Sequence, residues 1–67
     1  MAIIKDEIQT GKSRLLCFSG KLPKDLYDTV DINGIRYKIF IVYDMPNSIA
    51  IECEPGAPSL IGYAIKA

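Results

Sequence analysis

Hydrophobic and polar positions alternate most cleanly on either side of Asn33-Gly34, which separates two runs rich in β-branched and aromatic residues within residues 28–43. The pattern predicts a β-hairpin, because Asn and Gly tolerate the positive φ angles of a type I′ turn and that turn matches the twist of the strands it joins. A two-residue loop sets Ile32 opposite Ile35, Asp31 opposite Arg36, Val30 opposite Tyr37 and Thr29 opposite Lys38. Val30, Ile32, Ile35 and Tyr37 then share one face, and Thr29, Asp31, Arg36 and Lys38 the other. A slip by one residue would carry the charges onto the apolar face.

The remaining pattern is shorter in period and length. Residues 2–9 hold Ile3, Ile4 and Ile8 among charges and are read as a strand. Thr10-Gly-Lys-Ser13 is read as a turn and Arg14–Ser19 as a second strand, whose consecutive Leu15-Leu-Cys-Phe18 implies burial on both faces or a bulge. Gly20 and Pro23 break the pattern before the hairpin. Beyond it, Ile39-Phe-Ile-Val-Tyr43 is apolar at every position, which predicts the centre of the core. Asp44-Met-Pro-Asn47 is read as a turn. Ser48–Glu54 alternates as a half-exposed strand, and Leu60–Lys66 is a last strand with Ile61, Tyr63 and Ile65 on one side.

Several short strands with turn signals and no long amphipathic helix predict a mainly β chain. The expected architecture is a small antiparallel barrel or rolled sheet of five to six strands, SH3-like or OB-like, with at most one short helical turn near 23–28. At 67 residues the chain has room for one domain, 1–67, and one modest core.

Charge and composition narrow the function classes. Lys plus Arg equals Asp plus Glu at 8 each, so no net field steers the molecule toward polyanions. No apolar run approaches the roughly 20 residues of a membrane span, and the start lacks the layout of a signal peptide, so a cytoplasmic protein with no membrane partner is expected. Cys17 and Cys53 fit that compartment as reduced thiols, with a disulfide the less favoured reading. With no histidine and no Cys-x-x-Cys spacing, neither a metal nor another cofactor is expected.

The candidate chemistry is sparse. Gly11-Lys-Ser13 repeats the end of a P-loop, but Asp6 stands where the loop needs another glycine. Without histidine, catalysis would rest on carboxylates such as Asp28 with Asp31, or Glu52 with Glu54, and same-face acids on a strand are ordinarily solubilising. No catalytic residue is assigned, and a non-enzyme is expected.

Two binding readings remain. The leading one is a small regulatory or adaptor module that binds another protein, or itself as a homodimer, through a strand edge or loop tip. Its contact candidates are Tyr43, Met45 and Asn47, while Tyr37 and Tyr63 are assigned to the core. The alternative is weak binding of single-stranded nucleic acid by a basic surface of Lys12, Arg14, Lys21, Lys24, Arg36 and Lys38, with segment 12–24 free of acids.

Overall fold

A computed structural model describes residues 1–43, 45 and 47–67. Six strands form, β1 (Ala2–Thr10), β2 (Ser13–Ser19), β3 (Thr29–Ile32), β4 (Ile35–Tyr43), β5 (Ser48–Glu52) and β6 (Ala64–Ile65), with no helix among the described residues. Their order is β3-β4-β5-β2-β1-β6, and all pairings are antiparallel. The sheet curls until its two ends meet, where Asp31 and Lys66 exchange backbone hydrogen bonds of 2.8 and 2.9 Å. This nearly closed, mainly β barrel is the architecture the turn-and-strand pattern predicts. The β3-β4-β5 meander returns β5 against β2, the arrangement of a Greek key. Residues 23–28 make a turn at Lys24 and Asp25, not a helical one.

The hairpin register is as read from the sequence, with Thr29, Val30, Asp31 and Ile32 opposite Lys38, Tyr37, Arg36 and Ile35. Asn33 and Gly34 adopt φ of 54° and 81°, and the Asp31 carboxylate accepts the Gly34 N–H at 3.1 Å. Two other strands carry an irregularity that the alternation pattern does not reveal. In β1, Ile4 faces Phe18 but Asp6 faces Cys17, leaving Lys5 as an extra residue. In β4, Ile39 faces Ile51 but Ile41 faces Ala50, leaving Phe40 extra. Such β-bulges shift the inside-outside phase of everything that follows. Even-numbered Ala2 and Ile4 face inward before Lys5, and odd-numbered Glu7 and Gln9 do so after it.

The second bulge overturns the expected centre of the core. Of residues 39–43 only Ile39 packs against the interior, while Phe40, Ile41, Val42 and Tyr43 are 41–49% exposed. The core is built instead from Ala2, Ile4, Leu16, Val30, Ile32, Ile49, Ile51, Cys53, Leu60 and Ile65. Two further expectations change. β5 is buried along both faces through Ile51, because the small outward residues Ser48 and Ala50 lie between taller neighbours, Cys17 with Tyr43 and Leu15 with Ile41. The last segment is a strand only at Ala64–Ile65. Leu60 turns inward, Ile61 and Tyr63 are exposed, and Gly62, at φ 93°, donates to the Ile4 carbonyl at 2.8 Å. The turn expected at residues 44–47 includes Asp44 and Pro46, which lie outside the described residues.

One end of the barrel is closed by a polar cluster. Arg14 is 3% exposed. Its Nε donates to Gln9 Oε1 at 2.6 Å, Nη1 to Glu7 Oε1 at 3.2 Å and to the Pro58 carbonyl at 2.8 Å, and Nη2 to the Ala57 and Glu54 carbonyls at 3.0 and 3.3 Å. Gln9 Nε2 in turn donates to the Gly11 and Cys53 carbonyls, and Glu7 accepts from Ser59 Oγ and from the Leu60 N–H. Residues 53–60 have no strand partner past Glu52, and this cluster satisfies their carbonyls in place of a ladder.

The same cluster sets an acid limit on stability. Burial pushes the Glu7 carboxyl upward, but hydrogen bonds from Ser59 and Leu60 and the charge of Arg14 outweigh it, so its pKa lies below the ordinary 4.5. A carboxylate depressed in the folded state stabilises the fold at pH above its unfolded value and loses that contribution as pH falls through the folded value. Urea denaturation at successive pH values should therefore show wild type weakening below about 4.5. Glu7→Gln should be less stable at neutral pH and flatter across the acid range, and an unchanged acid slope in the variant would contradict the assignment.

Candidate protein-contact surface

The exposed half of β4 is a surface of unusual character for a strand. Residues 35–38 pair with β3, and the Ile39 N–H still reaches the Asp28 carbonyl at 2.7 Å. Residues 20–28 are irregular, so among the described residues no strand borders the far edge of Phe40–Tyr43. Phe40, Ile41, Val42 and Tyr43 are 46%, 49%, 46% and 41% exposed, and Met45 beyond them 89%. Native edge strands ordinarily carry a charge, a proline or an inward-turned lysine that discourages pairing. None stands within residues 39–43. Its bulge lies at the start of the segment, and Ile41–Tyr43 then pair regularly with β5.

Two features widen this surface. On the outer side of the sheet, Ile8, Leu15, Ala50 and Ile41 stand in register across β1, β2, β5 and β4, giving an apolar row that ends at the free edge. Beside that edge is an open hollow of about 380 Å³, with Phe18, Leu22, Val42 and Tyr43 as its apolar lining and Lys21 and Asn47 at its rim. Of the three contact residues read from the sequence, Tyr43 and Met45 belong to the exposed run. Asn47 borders the hollow, and its carbonyl accepts the Phe18 N–H at 3.0 Å. Sequence reasoning missed Phe40, Ile41 and Val42, because a continuous apolar run reads as interior unless the bulge and the missing neighbour are known.

The basic candidates do not all lie on one surface. Arg14 is enclosed in the polar cluster and has no room to meet a phosphate. Lys12 lies in the β1–β2 turn and Lys21 past the other end of β2, separated by a seven-residue strand of about 23 Å. Arg36 donates to Thr29 Oγ1 at 3.0 Å and to the Ala67 carbonyl at 3.4 Å, and Lys38 stands opposite Thr29 on the hairpin. Lys21 and Lys24 line a second groove with Leu22, Pro23, Ile65 and Lys66.

The other chemical candidates resolve into structural roles. Gly11-Lys-Ser13 forms the β1–β2 hairpin turn and leads into a strand, whereas a phosphate loop leads into a helix. The Lys12 carbonyl accepts the Cys53 N–H at 2.8 Å. Glu52 and Glu54 are exposed, and Asp31 caps its own turn. Among the described residues no group of three or more His, Cys, Asp or Glu side chains is placed to hold a metal ion. Cys17 and Cys53 are free, and they face opposite sides of the sheet, Cys17 opposite the outward Ser48 and Cys53 in the core. Burial raises the Cys53 thiol above its ordinary pKa, which keeps it protonated and a poor nucleophile. Tyr37 is likewise raised by burial. No helix among the described residues is long and apolar enough to cross a membrane.

No family model, curated protein or solved structure matches this chain.

Proposed function

We propose that this chain is a non-enzymatic interaction module, a small cytoplasmic protein of regulatory or adaptor type, which binds another protein along the free edge of β4. The observation that carries this reading is the run Phe40–Tyr43, uncharged, about half exposed and unpaired on one side. An extended segment added there gains main-chain hydrogen bonds from the edge, while its alternate side chains find the hollow beside Val42 and Tyr43. Exposed aromatic and Met side chains supply contact area with adaptable shape. The free thiols accord with a reducing compartment.

A photo-cross-linking amino acid placed at Phe40 or Met45, with Ile61 as an equally exposed position outside this surface, tests the reading in cells. Discrete protein adducts from positions 40 and 45 but not from 61 are the expected result. Absence of adducts at the β4 positions, or the same adducts from all three, would overturn it.

A further inference from the structure

We infer that the groove between the 20–24 loop and the end of β6 binds a small organic phosphate of nucleotide size. Its lining joins Leu22, Pro23 and Ile65 with Lys21, Lys24 and Lys66, and no Asp or Glu is among the described lining residues. Lys24, Ile65 and Lys66 have no part in the hollow beside Tyr43, so this site stands whether or not a protein docks at the β4 edge.

Charge complementarity names the ligand. Among the described residues the one ion pair is Arg14 with Glu7, so none of the three groove lysines has a carboxylate partner. Asp31, bridged to Lys66 through the backbone, gives its carboxylate to the Gly34 N–H at 3.1 Å. Three ammonium groups around one groove repel each other, and an anion placed between them removes that cost. A phosphate monoester brings a charge of about −2 and several acceptor oxygens, where a carboxylate brings one charge. The apolar part of the lining calls for a body attached to the phosphate, and the volume of about 390 Å³ falls within the roughly 300–1,000 Å³ of small-ligand sites.

The backbone that carries these lysines is fixed before any ligand arrives. Gly20, at φ 93°, lies so close to the Met1 carbonyl that a Cβ would overlap it, Pro23 has its φ locked, and Lys66 exchanges hydrogen bonds of 2.8 and 2.9 Å with Asp31. Such preorganisation lowers the cost of binding. A strand of nucleic acid would need a basic track longer than one groove, and Lys12 and the buried Arg14 do not extend this one. Because the groove is open and its lysines are exposed, the expected dissociation constant is on the order of 100 µM at low salt, rising as salt is added.

Titration of the isotope-labelled full chain with adenosine 5′-phosphate, followed by its amide spectrum at low salt, tests the site. Saturable shifts centred on residues 21–24 and 65–66 are expected, with adenosine and inorganic phosphate each binding at least about tenfold more weakly because each lacks half of the recognised chemistry. Lys24→Glu and Lys66→Glu, both at exposed positions, should weaken binding about tenfold. Lys12→Glu makes the same change of charge at the distant β1–β2 turn and should leave binding unaltered, the rest of each spectrum confirming the fold. No saturable shift, inorganic phosphate binding as well as the nucleotide, or an equal loss in Lys12→Glu would overturn the inference. So would binding of an oligothymidine of about ten nucleotides where the mononucleotide fails, which would point to a strand instead.

Discussion

Arg14→Met should lower the unfolding free energy by about 3 kcal/mol. A 67-residue domain holds only roughly 3–10 kcal/mol in all, so the variant is expected to be close to unfolding at room temperature. The reason lies in what the guanidinium holds. It donates to the carbonyls of Glu54, Ala57 and Pro58, to Gln9 and to the Glu7 carboxylate, and it is shielded from water. Methionine fills the volume but leaves the Glu7 charge without its arginine partner and the Ala57 and Pro58 carbonyls without the donor that Arg14 supplies, the Glu54 carbonyl keeping the Ala57 N–H. Urea denaturation at neutral pH measures the loss. Because the pair is enclosed, adding salt should change the difference between wild type and variant little. A midpoint within about 0.5 kcal/mol of wild type would show that residues 53–60 are held by something else.

Gly20→Ala should cost a comparable amount by a different route. Gly20 sits at φ 93°, a left-handed conformation that costs alanine about 1 kcal/mol. A Cβ there would also overlap the Met1 carbonyl oxygen and lie 2.9 Å from its carbon. Backbone has to move to make room, and overpacking of this kind adds roughly 1–3 kcal/mol. Gly34→Ala separates the two contributions, since φ is 81° but nothing lies within 4 Å of the new Cβ. Denaturation midpoints should therefore fall in the order wild type, Gly34→Ala, Gly20→Ala. Equal losses at the two glycines would mean that the approach of Met1 to Gly20 costs nothing.

The parts of this fold that were legible in the sequence are those where one local rule decides the outcome. Asn33-Gly34 specifies its turn, and the turn specifies the register from Thr29 to Lys38. The bulges at Lys5 and Phe40 are invisible to alternation because they invert it, which is why Ala2–Thr10 showed no clear period and why Ile39–Tyr43 read as interior. The burial of Arg14 runs against expectation for another reason. A charged residue is expected outside, yet the Gly11-Lys12 turn already sets Gln9 opposite Arg14 and Glu7 opposite Leu16. Those two polar partners on the inward face of β1 were the signal for a buried arginine. The free edge of β4 was not legible at all, since it depends on which strand lies next to which.

The seam of the barrel has a temporal consequence. β6 pairs with β1 across more than sixty positions of sequence, Ala2 with Ile65, and a reciprocal bridge from Asp31 to Lys66 completes the ring. On the ribosome, a nascent chain halted short of residue 64 would hold the outer margins of β1 and β3 unzipped, whatever else had already condensed. Closure must then await the emergence of residues 64–66, and the interval before it is when such a chain would most need shelter from its neighbours.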